Sequence, residues 1–167
     1  MVIKWSTVDT PAGPFCAVVD ADGVVLASGW TAFTDDLLPQ VAPALMFETL
    51  VEAADLGPVT KAVVAYHEGD LEAIDDIPVS QSSGPYLQHA WKVLRTVEPG
   101  KLTSYAEFAA LTGKPRAVRA AASACSRNAV ALFVPCHRIV RSDGSVGEFR
   151  WGPDRKKWLL HHERTNT

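Results

Sequence analysis

The chain has 167 residues, 47% of them apolar, so it can bury the core of one ordinary domain or two small ones, which excludes global disorder. No stretch of about 18 apolar residues is present, and the first residues lack the blocks of a signal peptide, so we expect neither a membrane span nor secretion. The net charge of -3 divides unevenly: residues 1–91 hold 2 Lys/Arg against 13 Asp/Glu, and residues 92–167 hold 14 against 6. A half with this much positive charge is typical of a nucleic-acid-binding surface. The alternative explanation of the asymmetry is that the basic half attracts the acidic half.

Residues 1–80 are predicted to form a small N-terminal α/β domain with a three-stranded antiparallel sheet, which makes the overall class α/β (α+β). The predicted strands are 2–8, 15–19 and 24–28. A turn rich in Pro and Gly separates the first two strands, and an Asp-Gly hairpin turn separates the last two. Helices are predicted to open at Thr34 and to cover 44–54 and 58–66, and 69–83 is interpreted as a linker.

The cysteines indicate a reducing compartment, because Cys16, Cys125 and Cys136 are an odd and sparse set for a disulfide framework. We therefore expect a cytoplasmic protein with free thiols. Cys16 lies within a strand pattern and is interpreted as a buried structural thiol. His67 has no partner at metal-ligand spacing and is interpreted as a surface histidine, so no metal site is expected.

Residues 84–167 are predicted to form a mainly helical C-terminal domain that contains a helix-turn-helix. A helix over 85–97 comes first. A second helix follows a cap at Thr103 or Ser104, with Glu107 completing a capping box. A tight turn centred on Gly113 then leads to a helix that opens at Pro115 and runs to Cys125.

The helix from Pro115 to Cys125 carries almost nothing larger than alanine besides Val118, Arg116 and Arg119. It has too few long polar side chains to read bases in a major groove. Small side chains with a projecting arginine suit close approach to a groove without sequence readout. The alternative is an alanine-rich helix packed in a core, which two arginines on one face make less favourable.

The apolar stretch 131–134 is predicted to be a buried strand that stops at Pro135, directly before Cys136 and His137. A thiol attacks as the thiolate, so Cys136 needs a base or a local positive field. Neighbouring side chains on a strand point apart, so His137 would need a turn or a bridging water to reach the thiol. Glu163, on a predicted last helix over 155–163 capped by Asp154, could orient the imidazole. A Cys-His pair alone is more often structural, but that alternative leaves the basic helix-turn-helix upstream unexplained.

This pattern resembles the O6-alkylguanine-DNA alkyltransferases, also called methylated-DNA–protein-cysteine methyltransferases. The sequence Val134-Pro-Cys-His-Arg-Ile-Val140 matches the active-site motif of that family. The other matching residues, all in the same register, are Tyr105, Arg119, Asn128 and Glu163. The resemblance is strong over residues 84–163 and weak over the first half, where the family has a ribonuclease H-like domain.

The resemblance implies DNA repair by one direct transfer of an alkyl group from O6-alkylguanine, and from O4-alkylthymine, to Cys136. It implies a cofactor-free protein, monomeric away from DNA, that binds duplex DNA through the minor groove and flips the damaged base into a pocket. Arg119 would fill the vacated place in the stack. Tyr105 would assist rotation and donate its hydroxyl to the base, and Asn128 would brace the turn before Cys136. His137, oriented by Glu163 and acting through a water, would remove the thiol proton.

The resemblance also assigns two surfaces. The residues expected to contact DNA are Tyr105, Arg116, Ala117, Arg119, Ala120, Ala121 and Ser123. The residues expected to line the substrate pocket are Cys125, Ile139, Phe149, Arg150 and Trp151. The last three depart from the family, which usually has a tyrosine and small residues there, so we expect methyl adducts to react well and benzylguanine-type compounds poorly.

Two other functions compete with repair. A non-catalytic alkyltransferase-like damage sensor or regulator would keep the DNA binding and lose the chemistry, but such relatives replace the cysteine, and Cys136 is present. A cysteine hydrolase using Cys136 and His137 would need an oxyanion site and would turn over repeatedly.

Overall fold

The computed structural model describes residues 2–41, 43 and 49–167. Its contacts divide the chain into two compact units. The first contains Met1–Ser82 and Ala129–Phe133, and the second contains Ser83–Asn128 and Val134–Thr167. The chain therefore returns to the first unit for a short segment shortly before Cys136, which the predicted ranges 1–80 and 84–167 do not include.

The first unit is built on a four-stranded sheet in the order β3-β2-β1-β4. Its strands are β1 (Val2–Thr10), β2 (Gly13–Val19), β3 (Val25–Gly29) and β4 (Thr49–Glu52). The predicted antiparallel pairing of the first three is confirmed. The fourth strand was missed: β4 runs parallel to β1 over part of the predicted helix 44–54, whose residues 44–48 lie outside the described residues. Pairing with β1 overrides the local helical pattern there.

The predicted linker 69–83 is wrong, because part of it is packed. A 3₁₀ helix spans Leu71–Ile74, and its two end residues are buried together with Ile77. Val79 forms a parallel bridge with Val25 of β3. Burial of these apolar side chains outweighs the acidic character that indicated a solvated segment. The short helix predicted at Thr34 is present as a 3₁₀ helix over Thr34–Asp36.

His67 is the last residue of α1 (Pro58–His67), and its interpretation as a surface residue is wrong, because it is 5% exposed. Its Nε2 accepts a hydrogen bond from Trp30 Nε1 at 3.2 Å. Since the indole can only donate, the imidazole proton sits on Nδ1, which donates to the carbonyl of Val63 at 2.7 Å. His67 is therefore a neutral core residue of the first unit.

The second unit is mainly helical, with one short parallel strand pair. Its elements are α2 (Pro85–Leu94), β5 (Thr103–Ser104), α3 (Tyr105–Leu111), α4 (Val118–Ser126), β6 (Ile139–Val140) and α5 (Pro153–Thr165). The predicted capping box is confirmed: Ser104 Oγ accepts from the backbone of Glu107 at 3.0 Å, and the Glu107 carboxylate accepts from the backbone of Ser104 at 3.2 Å. Strand β5 pairs in parallel with β6 and thereby brings the start of α3 beside the chain that follows Cys136.

Two predicted helix starts in this unit are wrong. Helix α4 begins at Val118 rather than at Pro115, because a turn closes first, with the backbone of Ala117 donating to the carbonyl of Lys114 at 2.9 Å. Helix α5 begins at Pro153 after Gly152, whose φ of 97° suits glycine, so Asp154 lies inside the first turn instead of capping it. None of the helices in the described part of the chain has the length and apolar character needed to cross a membrane.

Candidate active site

Cys136 follows a turn rather than the end of a strand, so the strand predicted at 131–134 is wrong. Pro135, with φ of −82° and ψ of 64°, is the central residue of an inverse γ-turn in which the backbone of Cys136 donates to the carbonyl of Val134 at 2.8 Å. A 3₁₀ turn over Cys136–Arg138 then leads into β6. Among the described residues other than glycine, Leu132 alone has a positive φ, of 77°, and no strand continues through it.

Asn128 holds this turn from the end of α4. Its Nδ2 donates to the carbonyl of Val134 at 2.8 Å, and its side chain also hydrogen-bonds the Cys136 thiol. Its φ is not positive, so Asn128 does not end α4 as a left-handed cap. The amide instead joins the helix-turn-helix to the turn that carries Cys136.

Cys136 is 8% exposed and therefore counts among the buried residues of the second unit. Burial raises the pKa of the thiol, and this effect is opposed by the hydrogen bond from Asn128 and by the positive charge of Lys156. The net direction is upward, so the resting thiol is protonated at neutral pH. A reaction at this sulfur therefore needs a group that removes its proton.

Directly after Cys136 in the chain, His137 and Arg138 form a buried cluster with Glu163. His137 Nε2 lies 2.8 Å from Glu163 Oε2, and Arg138 Nε lies 3.0 Å from Glu163 Oε1. Burial lowers the pKa of His137 more than Glu163 raises it, so the imidazole is neutral. A neutral imidazole that donates from Nε2 to a carboxylate carries no proton on Nδ1, which is then the nitrogen that can accept one.

Glu163 stays ionised in this cluster. Its burial would raise its pKa, but the interactions with His137 and Arg138 outweigh burial and lower the pKa to about 2. Arg138 also donates from Nη1 to the carbonyl of Val97 at 2.7 Å. Arg138 was missed as a site residue, although its place directly after Cys136 and His137 was visible in the sequence.

Lys156 is a second missed residue. It is 1% exposed, its Nζ donates to the carbonyl of Ile139 at 2.6 Å, and Nζ lies 5.9 Å from the centre of the Tyr105 ring. Burial lowers its pKa, and the two thiols of Cys125 and Cys136 act against that shift. Helical spacing gave a signal, because Lys156 falls on the same inward face of α5 as Leu159 and Glu163.

Tyr105 opens α3 with its ring half-buried. Burial, followed by the neighbouring thiols of Cys125 and Cys136, raises the pKa of its hydroxyl to about 12. The hydroxyl therefore holds its proton at neutral pH and can donate it within a hydrogen bond. Cys125 is half-buried near the end of α4, and burial followed by Cys136 raises the pKa of its thiol well above the ordinary value.

The residues of α4 and of the turn before it that are predicted to contact DNA differ in exposure. Arg116 and Arg119 are exposed, and Ala117, Ala120 and Ser123 are half-buried. Ala121 is fully buried, so its predicted contact with DNA is wrong: helical spacing puts it on the inward face with Ala124. The Trp91 Nε1 donates to the carbonyl of Ala124 at 2.8 Å, which fixes that face against α2.

The residues predicted to line a pocket differ in exposure. Phe149 and Trp151 are half-buried and Arg150 is exposed, with its guanidinium 5.5 Å from the centre of the Trp151 ring. Ile139 is fully buried, and its carbonyl accepts from Lys156.

Over the described ranges 2–41, 43 and 49–167, no three His, Cys, Asp or Glu side chains are grouped so as to hold a metal ion.

Comparison with known proteins gives a consistent result. Residues 85–165 match the family model described as the 6-O-methylguanine DNA methyltransferase DNA-binding domain. A methylated-DNA–protein-cysteine methyltransferase of Shigella flexneri is 30% identical, covering 92% of this chain and 91% of its own, and one of Mus musculus is 33% identical, covering 96% and 81%. The crystal structure of the Mycobacterium tuberculosis O6-methylguanine methyltransferase superposes with a TM-score of 0.79 at 27% identity, covering 99% of this chain and 94% of that one.

Proposed function

The chain belongs to the methylated-DNA–protein-cysteine methyltransferase family, and on that premise we propose that it repairs duplex DNA by moving an alkyl group from guanine O6 to its own Cys136. The observation that carries this proposal is the buried His137–Glu163 pair beside the turn on which Cys136 is held by Asn128. The product is a thioether, whose carbon–sulfur bond is stable in water. The protein therefore acts once and is spent.

The proposed chemistry starts with removal of the thiol proton by His137 through a bridging water. Glu163 fixes the imidazole and stabilises the positive charge that forms on it. The thiolate of Cys136 attacks the alkyl carbon, the carbon–sulfur bond forms, and the carbon–oxygen bond breaks with its electron pair leaving on guanine. Tyr105 donates a proton to the departing guanine, so the base leaves neutral. The thiol proton on His137 then returns through water to Tyr105.

DNA binding is assigned to the basic second half of the chain, through α3, the turn after it and α4. We propose contact with the minor groove, because Ala117, Ala120 and Ser123 are small and Arg119 projects from the exposed side of α4. In the same proposal the protein is a monomer off DNA and also accepts O4-alkylthymine. The three free thiols favour a reducing compartment such as the cytoplasm.

The test is mass spectrometry after mixing the protein with a duplex that contains one O6-methylguanine. Repair yields one methyl group per protein molecule, located on Cys136, with the duplex restored. A damage sensor would bind the duplex and gain no methyl group. A cysteine hydrolase would release product repeatedly and stay unmodified, so either of these results would contradict the proposal.

Arg119→Ala is expected to slow methyl transfer from duplex DNA and to leave transfer from the free base unchanged. Without the guanidinium nothing fills the vacated place in the stack, and flipping a base costs a few kcal/mol, so we expect a loss of about tenfold to a hundredfold on duplex. Single-turnover rates on both substrates measure it. Arg127→Ala, which removes an exposed arginine from the end of the same helix, is the matched control. Equal slowing of both reactions would mean that Arg119 serves the pocket instead.

Benzylguanine is expected to react poorly because Arg150 and Trp151 occupy the proposed rim of the pocket, where their side chains stack on each other. In the double variant Arg150→Ser, Trp151→Gly we expect benzylguanine to react at least about tenfold faster, since removal of bulk from a pocket relieves a steric cost of more than 1 kcal/mol. The rate of reaction with free O6-methylguanine should change little. If both compounds gain equally, the rim does not select by size.

A further inference from the structure

Gly147 lies in the loop after β6, with a φ of 74°. A Cβ atom at this position would lie 3.6 Å from the Tyr105 hydroxyl oxygen, 3.5 Å from Arg141 Cγ and 3.6 Å from Arg141 Nε. Because Tyr105 Oη and Arg141 Nε each lie 3.6 Å from this point, the distance between them is no more than twice 3.6 Å. Both side chains therefore lie beside the same stretch of backbone.

Arg141 itself is placed by a tight turn. Its backbone donates to the carbonyl of Ser145 at 3.0 Å, and its own carbonyl accepts from the backbone of Gly144 at 2.9 Å. Asp143 Oδ1 accepts from the backbone of Ser145 at 2.9 Å, which closes the turn from the other side. This turn places the Arg141 side chain beside Gly147, and the residue as a whole is exposed.

The surroundings of the Tyr105 hydroxyl act on its ionisation in opposite directions. Burial, the thiols of Cys125 and Cys136, and the carboxylate of Glu148 all make the tyrosinate less favourable, whereas Arg141 makes it more favourable. Lys156 lies over the ring and donates to the carbonyl of Ile139, and its charge acts on the two thiols. Arg141 is therefore the cation placed to act on the hydroxyl itself.

We propose that Arg141 is a positioning residue for alkyl transfer, holding positive charge beside the Tyr105 hydroxyl to stabilise the tyrosinate that forms when this hydroxyl gives its proton to the departing guanine. The inference rests on the proposed function of Cys136 and Tyr105. The carbon–oxygen bond breaks with its electron pair moving to guanine, the Tyr105 proton neutralises that charge, and the negative charge passes to the tyrosine oxygen. A guanidinium there stabilises this charge only while the base departs, which lowers the barrier.

Arg141→Gln is expected to slow methyl transfer from the free base O6-methylguanine about tenfold, the factor that corresponds to 1 pKa unit of lost stabilisation. The free base removes DNA phosphates from the reaction, so a loss there reports on the pocket. Arg141→Lys keeps the charge and should retain most of the rate. Glu148→Gln should act in the opposite direction and speed the reaction. Arg164→Gln, the same change at an exposed site on α5, is the control.

The decisive comparison is made in a Tyr105→Phe background. If Arg141 acts through the hydroxyl, Arg141→Gln has no further effect on the free-base rate once that hydroxyl is gone. An equal slowing with and without the hydroxyl would overturn the proposal, as would a loss confined to duplex DNA, which would make Arg141 a phosphate contact.

A second readout does not depend on repair activity. In protein labelled with ¹³C at the tyrosine ring, the Tyr105 resonance should titrate at higher pH in Arg141→Gln than in the wild type. The other groups that act on this hydroxyl, Cys125, Cys136 and Glu148, are the same in both proteins, and so is Lys156 over the ring. An unchanged titration would overturn the inference about Arg141, whereas absence of methyl transfer in the wild type would instead overturn the proposed function.

Discussion

Cys136→Ser is expected to abolish alkyl transfer while leaving the fold and DNA binding intact. Serine has nearly the same shape, so it fits the turn that starts at Pro135 and keeps the contact with Asn128. Its hydroxyl ionises far less readily than a thiol, and a neutral imidazole such as His137 is too weak a base to activate it directly for attack on an alkyl carbon. Incubation with a methylated duplex followed by mass spectrometry should detect no added methyl group.

Cys16→Ser provides the matched control. Cys16 is a fully buried thiol of β2 in the first unit, so this variant makes the same chemical change away from the proposed site. It should still acquire one methyl group per molecule. A methyl group found on the Cys136→Ser protein would place the acceptor elsewhere and contradict the assignment of Cys136.

Glu163→Gln is expected to destabilise the protein by about 3–5 kcal/mol, the cost of breaking a buried ion pair by removing one partner. Arg138 would keep its charge with only a neutral amide in place of the carboxylate that now lies 3.0 Å from its Nε. Urea unfolding measures the loss. Glu98→Gln, which changes an exposed carboxylate of the same unit, should stay within about 0.5 kcal/mol of the wild type. A small loss in Glu163→Gln would mean that the buried cluster contributes little to stability.

The same variant should also lose alkyl transfer, because the imidazole of His137 loses the anion that orients it and stabilises its charged form. We expect the rate to fall by about a hundredfold or more, within the range that general-base catalysis contributes. The single-turnover rate must be measured where the variant is still folded. A normal rate in folded Glu163→Gln protein would remove Glu163 from the mechanism.

The pH dependence of stability follows from the same carboxylate. Its pKa is lowered to about 2 in the folded protein, against about 4.3 for an unperturbed glutamate. Its contribution is therefore complete above the unfolded value and is lost as pH falls from about 4.3 toward the folded value. The difference in unfolding free energy between wild type and Glu163→Gln should therefore narrow as pH falls through that acidic window.

The sequence alone determined the features that depend on local chemistry. The register of Cys136 with Tyr105, Arg119, Asn128 and Glu163 was readable, and so was the capping box of Ser104 and Glu107. A cap is made by residues three apart, and the family motif is a short contiguous string. The cap and the motif can therefore be read from the order and spacing of residues, without knowledge of the fold.

Tertiary structure decided the features that depend on distant partners. The stretch 131–134 has the composition of a strand, yet its backbone turns, and the carbonyl of Ala131 accepts from the hydroxyl of Ser28 at 2.7 Å, 103 residues away. Arg138 and Lys156 would be placed on the surface by their charge, but both are buried, because Glu163 and the carbonyls of Val97 and Ile139 satisfy them.

The approach of Arg141 to Tyr105 belongs to this second class, since the two residues directly follow the paired strands β6 and β5 and both side chains lie beside Gly147. A charged or polar group can be buried only where folding supplies its partner, and no local pattern in the chain specifies which partner that will be. For this reason the nucleophile could be found from the sequence, whereas the charges that surround it could be assigned only in the folded protein.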